Sequence, residues 1–169
     1  MENIKVTFWL SLVVLLSAAC SDSSKQDVIL HNAVAIERSD ECHLCGMYIS
    51  NFNGPKGEIF KKDFVKGGAN KVHKFCSTRD LFSFYLDPEN QRNVGTILVH
   101  DMSKMPWNSL KDEFFIDAKT AWFVSGSNKT GAMGKTLASF SQRIDAQSFA
   151  KEFDGQVLAF KEVNLSVLM

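Results

Sequence analysis

The segment Glu41-Cys42-His43-Leu44-Cys45-Gly46-Met47 constrains this chain more than any other, because it crowds two thiols, an imidazole and a thioether into one short stretch. A Cys-x-x-Cys pair has three common uses: a structural zinc knuckle, a dithiol redox centre and a soft-metal site. Only the last gives Met47 a chemical task, since thiolate plus thioether is the donor set that selects monovalent copper over harder ions. A redox pair should open a helix, where the dipole lowers a thiol pKa. Gly46 and the apolar run Met47-Tyr48-Ile49 instead predict a loop leading into a strand.

Zinc is the rival ion. Cys42 and Cys45 with His73 and Cys76 supply four ligands in two paired clusters, the pattern of a closed tetrahedral site, although residues 46–72 make a long spacer for a knuckle. Cys76 also precedes a predicted helix, where simple burial would account for it.

Residues 1–19 read as a targeting segment. A polar start ending in Lys5 precedes the apolar run 6–16, which matches a signal-peptide core and is too short to span a bilayer. Leu16-Ser17-Ala18-Ala19-Cys20 resembles a lipobox, with Ser17 where leucine is usual, so cleavage would leave Cys20 as a lipidated first residue. Ser21 after it points towards outer-membrane sorting. Residues 20–35 then form the lipidated terminus and a polar tether. Lipid on Cys20 leaves Cys42, Cys45 and Cys76, an odd number. In an oxidising compartment at least one of these thiols must be free or metal-bound.

Lys plus Arg and Asp plus Glu both number 19, so charge implies neither nucleic acid nor an acidic surface as partner, and no basic cluster resembles a nucleic-acid footprint. With 169 residues, 45% hydrophobic and 14 of them Phe, the chain can bury a real core.

The patterning predicts an α+β fold of two small related halves, 36–106 and 107–163, each ordered strand-strand-helix-strand. Residues 28–36 form a leading strand or extended arm. The first half has strands at 58–64 and 71–75 around the Gly67-Gly68 turn, and a helix at 77–86 capped by Ser77 with Asp80. Pro88 ends that helix, and a buried strand follows at 96–100. The second half has strands at 113–116 and 120–124, extended structure at 137–140, a helix at 146–153 capped by Asp145, and a closing strand at 157–160.

Other chemical motifs are dismissed. Gly134-Lys135-Thr136 lacks the earlier glycine of a phosphate loop, and Lys129-Thr130-Gly131 lies on the wrong side of its Ser-x-x-Lys partner. His31 and His100 read as surface or core residues, and no acid-base or Ser-His-Asp constellation stands out. Met133, between Ala132 and Gly134, reads either as an exposed thioether or as a gap-filling core residue.

Cys45-Gly46-Met47-Tyr48-Ile49, Gly54-Pro55-Lys56-Gly57-Glu58-Ile59, the run from Phe75 to Phe82, Ala121-Trp122-Phe123-Val124 and Gly131-Ala132-Met133-Gly134 together resemble the NosL family of accessory lipoproteins. The resemblance covers roughly residues 40–160. It implies a periplasmic, lipid-anchored chaperone that binds Cu(I), helps load the copper centres of apo nitrous oxide reductase, and works with an ABC-type transporter complex of the same maturation system. It implies transfer rather than enzymatic turnover, and a fold similar to part of organomercurial lyase. Carried over by motif, Cys45, Met47 and Met133 are the copper ligands. Cys42 goes beyond the family's core Cys-x-Met element. It leaves open one thiolate or two, a Cys42–Cys45 disulfide, and the alternative of a structural or sensor Zn(II) protein using Cys42, Cys45, His73 and Cys76.

Overall fold

A computed structural model describes residues 32–63, 72–109 and 112–169. The targeting segment, Cys20, the Gly67-Gly68 turn and part of the tether lie outside the described residues.

Two antiparallel sheets carry the fold. The first comprises β1 (Gly57–Lys61), β2 (His73–Phe75), β3 (Val94–His100) and β4 (Phe115–Asp117) in the order β2-β1-β3-β4. The second comprises β5 (Trp122–Ser125), β8 (Ala138–Phe140) and β9 (Gln156–Ala159) in the order β8-β5-β9. Between β5 and β8 a small hairpin is formed by β6 (Thr130–Gly131) and β7 (Gly134–Lys135). Each sheet thus puts its first strand in the centre and its next two on either side.

Helix α1 (Thr78–Tyr85) forms where the sequence predicts it, because the Ser77 hydroxyl accepts the Asp80 N–H at 3.0 Å and the buried Leu81 and Phe82 supply an apolar face. Pro88 does not merely end it: with Asp87 as cap, it opens a second short helix, α2 (Pro88–Gln91), since a first-turn proline loses no needed donor. Helix α3 (Arg143–Phe153) starts earlier than expected. Gln142 is its N-cap and Asp145, the expected cap, stands in its first turn. A last helical turn, α4 (Leu165–Leu168), is capped by Asn164.

The strand predicted at 113–116 to open the second half is corrected in two respects. Residues Asp112–Phe114 form a 3-10 turn, and β4 pairs with β3 in the first sheet, with Val99 opposite Ile116.

A shared core joins the halves. Phe82 of α1 meets Phe123 of β5 edge to face at 5.0 Å, and Ile59, Phe75, Ile97, Leu137 and Leu158 belong to the same buried cluster. The arm at 32–36 is not a strand. It is held by the Val34 N–H on Glu58 Oε2 at 3.0 Å, the Ile36 N–H on Asp112 Oδ2 at 2.8 Å, and Lys74 on the Ala35 carbonyl.

Candidate metal centre

The cysteine segment is a tight loop. The Cys42 N–H donates to the Met47 carbonyl and the Gly46 N–H returns to the Cys42 carbonyl, each at 2.8 Å, a closure that puts Gly46 at φ 73°. The expected strand after it does not form: Tyr48 makes a single bridge to Glu41, and Ile49–Asn51 is a 3-10 turn whose Ile49 is fully buried. That isoleucine pins one side of the loop, while the His43 N–H on the Lys74 carbonyl, 2.8 Å away, ties the other to β2.

Residue 76 leaves β2 immediately before the capping Ser77, so its thiol sits at the amino end of α1, and Asp80 follows one turn later. These placements gather Cys42, Cys45, Cys76 and Asp80, whose donor atoms all lie within 4.8 Å of one another. The Cys45 and Cys76 sulfurs are 3.4 Å apart. Asp80 Oδ2 accepts the Cys76 thiol at 3.1 Å and the Cys42 thiol at 3.6 Å. Cys42, Cys76 and Asp80 are buried, whereas Cys45 is half-buried. All three cysteines are free thiols.

Their protons are unequally held. Hydrogen bonding from Cys76 pulls Cys42 down to about 6, despite its burial. Donation to Cys42, burial and the Asp80 carboxylate push Cys76 well up. Burial raises Cys45. Behind the group lies Lys56, fully buried, its ammonium donating to the carbonyls of Phe52 at 2.8 Å and Asn53 at 3.1 Å. Desolvation lowers it to about 8, and the nearby Cys76 and Cys42 act against that fall.

His73 is not in this group. Its ring lies 3.7 Å from that of His43, beside Phe84, and burial lowers it to about 4. The zinc set of Cys42, Cys45, His73 and Cys76 is therefore corrected: Asp80 stands where His73 was expected. Met47 is half-buried and packs on the core, as Cys45 does. Met133 is 61% exposed at the tip of the β6–β7 hairpin, so it is no core filler. Its φ of 60° is one that non-glycine residues rarely hold. Its carbonyl accepts from Arg79 Nη1 at 3.1 Å, and Thr78 bonds Thr136 at 3.1 Å and the Leu137 carbonyl, so the hairpin is fastened to the amino end of α1 that carries Cys76 and Asp80.

Sequence reasoning used Asp80 only as a capping partner and overlooked its carboxylate. The available signal was Asp80 four positions after Cys76, in the first turn of the helix that the cysteine precedes. Lys56 gave no signal, because lysine is almost never fully buried.

The NosL family model matches residues 33–168. The chain is 38% identical over 159 residues to the copper-binding lipoprotein NosL of Stutzerimonas stutzeri, covering 93% of this chain and 80% of that protein. It is 28% identical over 157 residues to the copper-binding lipoprotein NosL of Achromobacter cycloclastes, covering 91% and 77%. The crystal structure of the copper chaperone NosL from Shewanella denitrificans superposes with a TM-score of 0.74 at 50% identity, covering 79% of this chain and 96% of that one. With sequence and mixed helix-and-sheet fold in agreement over nearly all the described residues, this chain belongs to the NosL family.

Proposed function

We propose that this chain is a chaperone for monovalent copper, anchored by lipid on Cys20 and facing the periplasm, that passes its ion to apo nitrous oxide reductase in concert with an ABC-type transporter complex. The observation that carries this reading is the convergence of three free thiols on one point, with only Cys45 at the surface. Soft sulfur in that number suits Cu(I). The printed names of the relatives, copper-binding lipoprotein and copper chaperone, support it.

Cys45 is the primary ligand, Cys42 and Cys76 lie behind it, and Met47 and Met133 serve as thioethers at the mouth. Cys42 gives up its proton most readily, so it is ready to bind without a strong base. Asp80 is a hard donor that suits copper poorly. Its task is to hold the Cys76 thiol, 3.1 Å away, in place until the ion arrives. Transfer follows from a half-open site: an incoming ligand approaches beside Cys45 before the buried sulfurs let go. Holding thioether at the strained, exposed Met133 position also favours a handing-over role rather than a packing one.

Zinc is the second reading, favoured by the oxygen of Asp80 beside three thiolates, which would complete a tetrahedral set. Anaerobic competition against a cuprous chelator separates the readings. Cys45→Ser should lose at least about a hundredfold in Cu(I) affinity, more than the roughly 10–100-fold typical of outer-shell changes, with the fold intact. Full retention would place the site elsewhere, and tighter binding of zinc than of copper would favour the second reading.

A further inference from the structure

We propose that the metal-free site carries a redox gate: a disulfide-bearing oxidant joins Cys45 to Cys76, shutting the thiol cluster to cuprous ions, and reduction reopens it. Shutting out copper rests on the function proposed above; the identity of the bond does not.

The geometry selects this pair over Cys42 with Cys45. The Cys45 and Cys76 sulfurs already touch, at 3.4 Å across 31 positions of sequence. Bonding needs about 2.05 Å, so a shift of little more than an ångström suffices. Cys45 can make it, because its neighbours Leu44 and Gly46 are exposed and a side chain at Gly46 would meet nothing within 4 Å. Cys76 is fixed between β2 and the Ser77 cap. Cys42 and Cys76 are both buried, at 2% and 0% exposed, so contact and not accessibility separates them: the Cys42 N–H and carbonyl are both bonded within the loop, and it is the Cys76 sulfur that meets that of Cys45. Accessibility decides the first step, since an oxidant must reach the sulfur it pairs with.

The chemistry balances without a metal. The Cys45 thiol attacks one sulfur of the oxidant R–S–S–R, forms a mixed disulfide and expels one thiolate, which takes the Cys45 proton. Cys76 then attacks the Cys45 sulfur and expels the second. Asp80 Oδ2, 3.1 Å from Cys76, accepts the Cys76 proton and passes it to the released thiolate. Two cysteine thiols lose two electrons and two protons, and the oxidant becomes two thiols. Cys42 remains the one free thiol of the cluster, so copper loses two of its three thiolate donors. A bound cuprous ion would block the reaction by engaging the same sulfurs.

The test uses the full chain in detergent, reduced and stripped of metal, equilibrated anaerobically with glutathione and its disulfide in fixed ratios. Acid quenching, unfolding, alkylation and peptide mass spectrometry then report each cysteine. Cys45 and Cys76 should lose alkylation together in one linked peptide while Cys42 stays alkylated, and Cys76→Ser should leave glutathione on Cys45. A Cys42–Cys45 link, or a link between chains, overturns the assignment. In a second arm, the oxidised chain should bind Cu(I) at least tenfold more weakly than the reduced one, and copper added first should protect both thiols. Equal binding by the two forms overturns the gate. A reduced chain that ignores copper while the bond still forms defeats the copper reading and upholds the bond.

Discussion

Asp80 shows how one side chain can organise a site without being its main ligand. Its backbone N–H is taken by the Ser77 cap while its carboxylate accepts from two thiols, so the helix start and the sulfur cluster stand or fall together. Met133 is the opposite case, an exposed thioether on strained backbone with no packing reason to be there. Met133→Leu keeps the volume and removes the sulfur. It should weaken Cu(I) by about tenfold and leave zinc affinity unchanged in paired chelator competitions; equal loss of both ions, or no loss, contradicts its role. At this scale the pairing of Cys42 with Cys45 was legible because the two stand three positions apart. The convergence of Cys76 and Asp80 on Cys45 was not legible, since it depends on β2 delivering residue 76 to a loop thirty positions earlier, which local spacing does not reveal.

The elements that deliver these residues were mostly visible in the sequence. Capping chemistry at Ser77 and the apolar face of α1 are local properties, and they came out as read. The strand at 113–116 was read as extended but given to the wrong sheet, because the choice between β3 and β5 as partner is made by tertiary pairing. The run Met47-Tyr48-Ile49 looked like a strand and became a bridge and a 3-10 turn, since the closed cysteine loop dictates its path. The join of α3 and β9 offers a test of how rigid this scaffold is. Gly155 has φ 125°, and a Cβ there would fall 2.6 Å from the Ser125 carbonyl oxygen and 2.7 Å from Val124 Cγ1. Gly155→Ala should cost about 3 kcal/mol through strain and overpacking. Chemical denaturation should show a lower midpoint at an unchanged slope; a loss under about 0.5 kcal/mol would mean the β5–β9 corner yields freely.

On the scale of the whole molecule, the first sheet is held to its amino-terminal arm by a buried carboxyl. Glu58 is fully buried, accepts the Val34 N–H through one oxygen and has no partner for the other. Desolvation raises it from 4.5 to about 7. A carboxyl raised on folding gives stability that is complete below its unfolded value and is lost as pH climbs through about 7. His73, lowered from 6.5 to about 4, works in the other direction, losing stability as pH falls across that window. Because His73 is common to both proteins, Glu58→Gln isolates the carboxyl: the variant should match the original near pH 5 and exceed it by about 2 kcal/mol at pH 8. A difference that does not change with pH would contradict this origin. The shared core and the two sheets exist to bring a surface cysteine over two buried ones. X-ray absorption on the reduced full chain loaded anaerobically with one equivalent of Cu(I) tests that claim most directly. Copper surrounded by two or three sulfurs, with sulfur lost on Cys45→Ser, is the predicted result; a shell of nitrogen or oxygen, or a spectrum indifferent to that substitution, would contradict it.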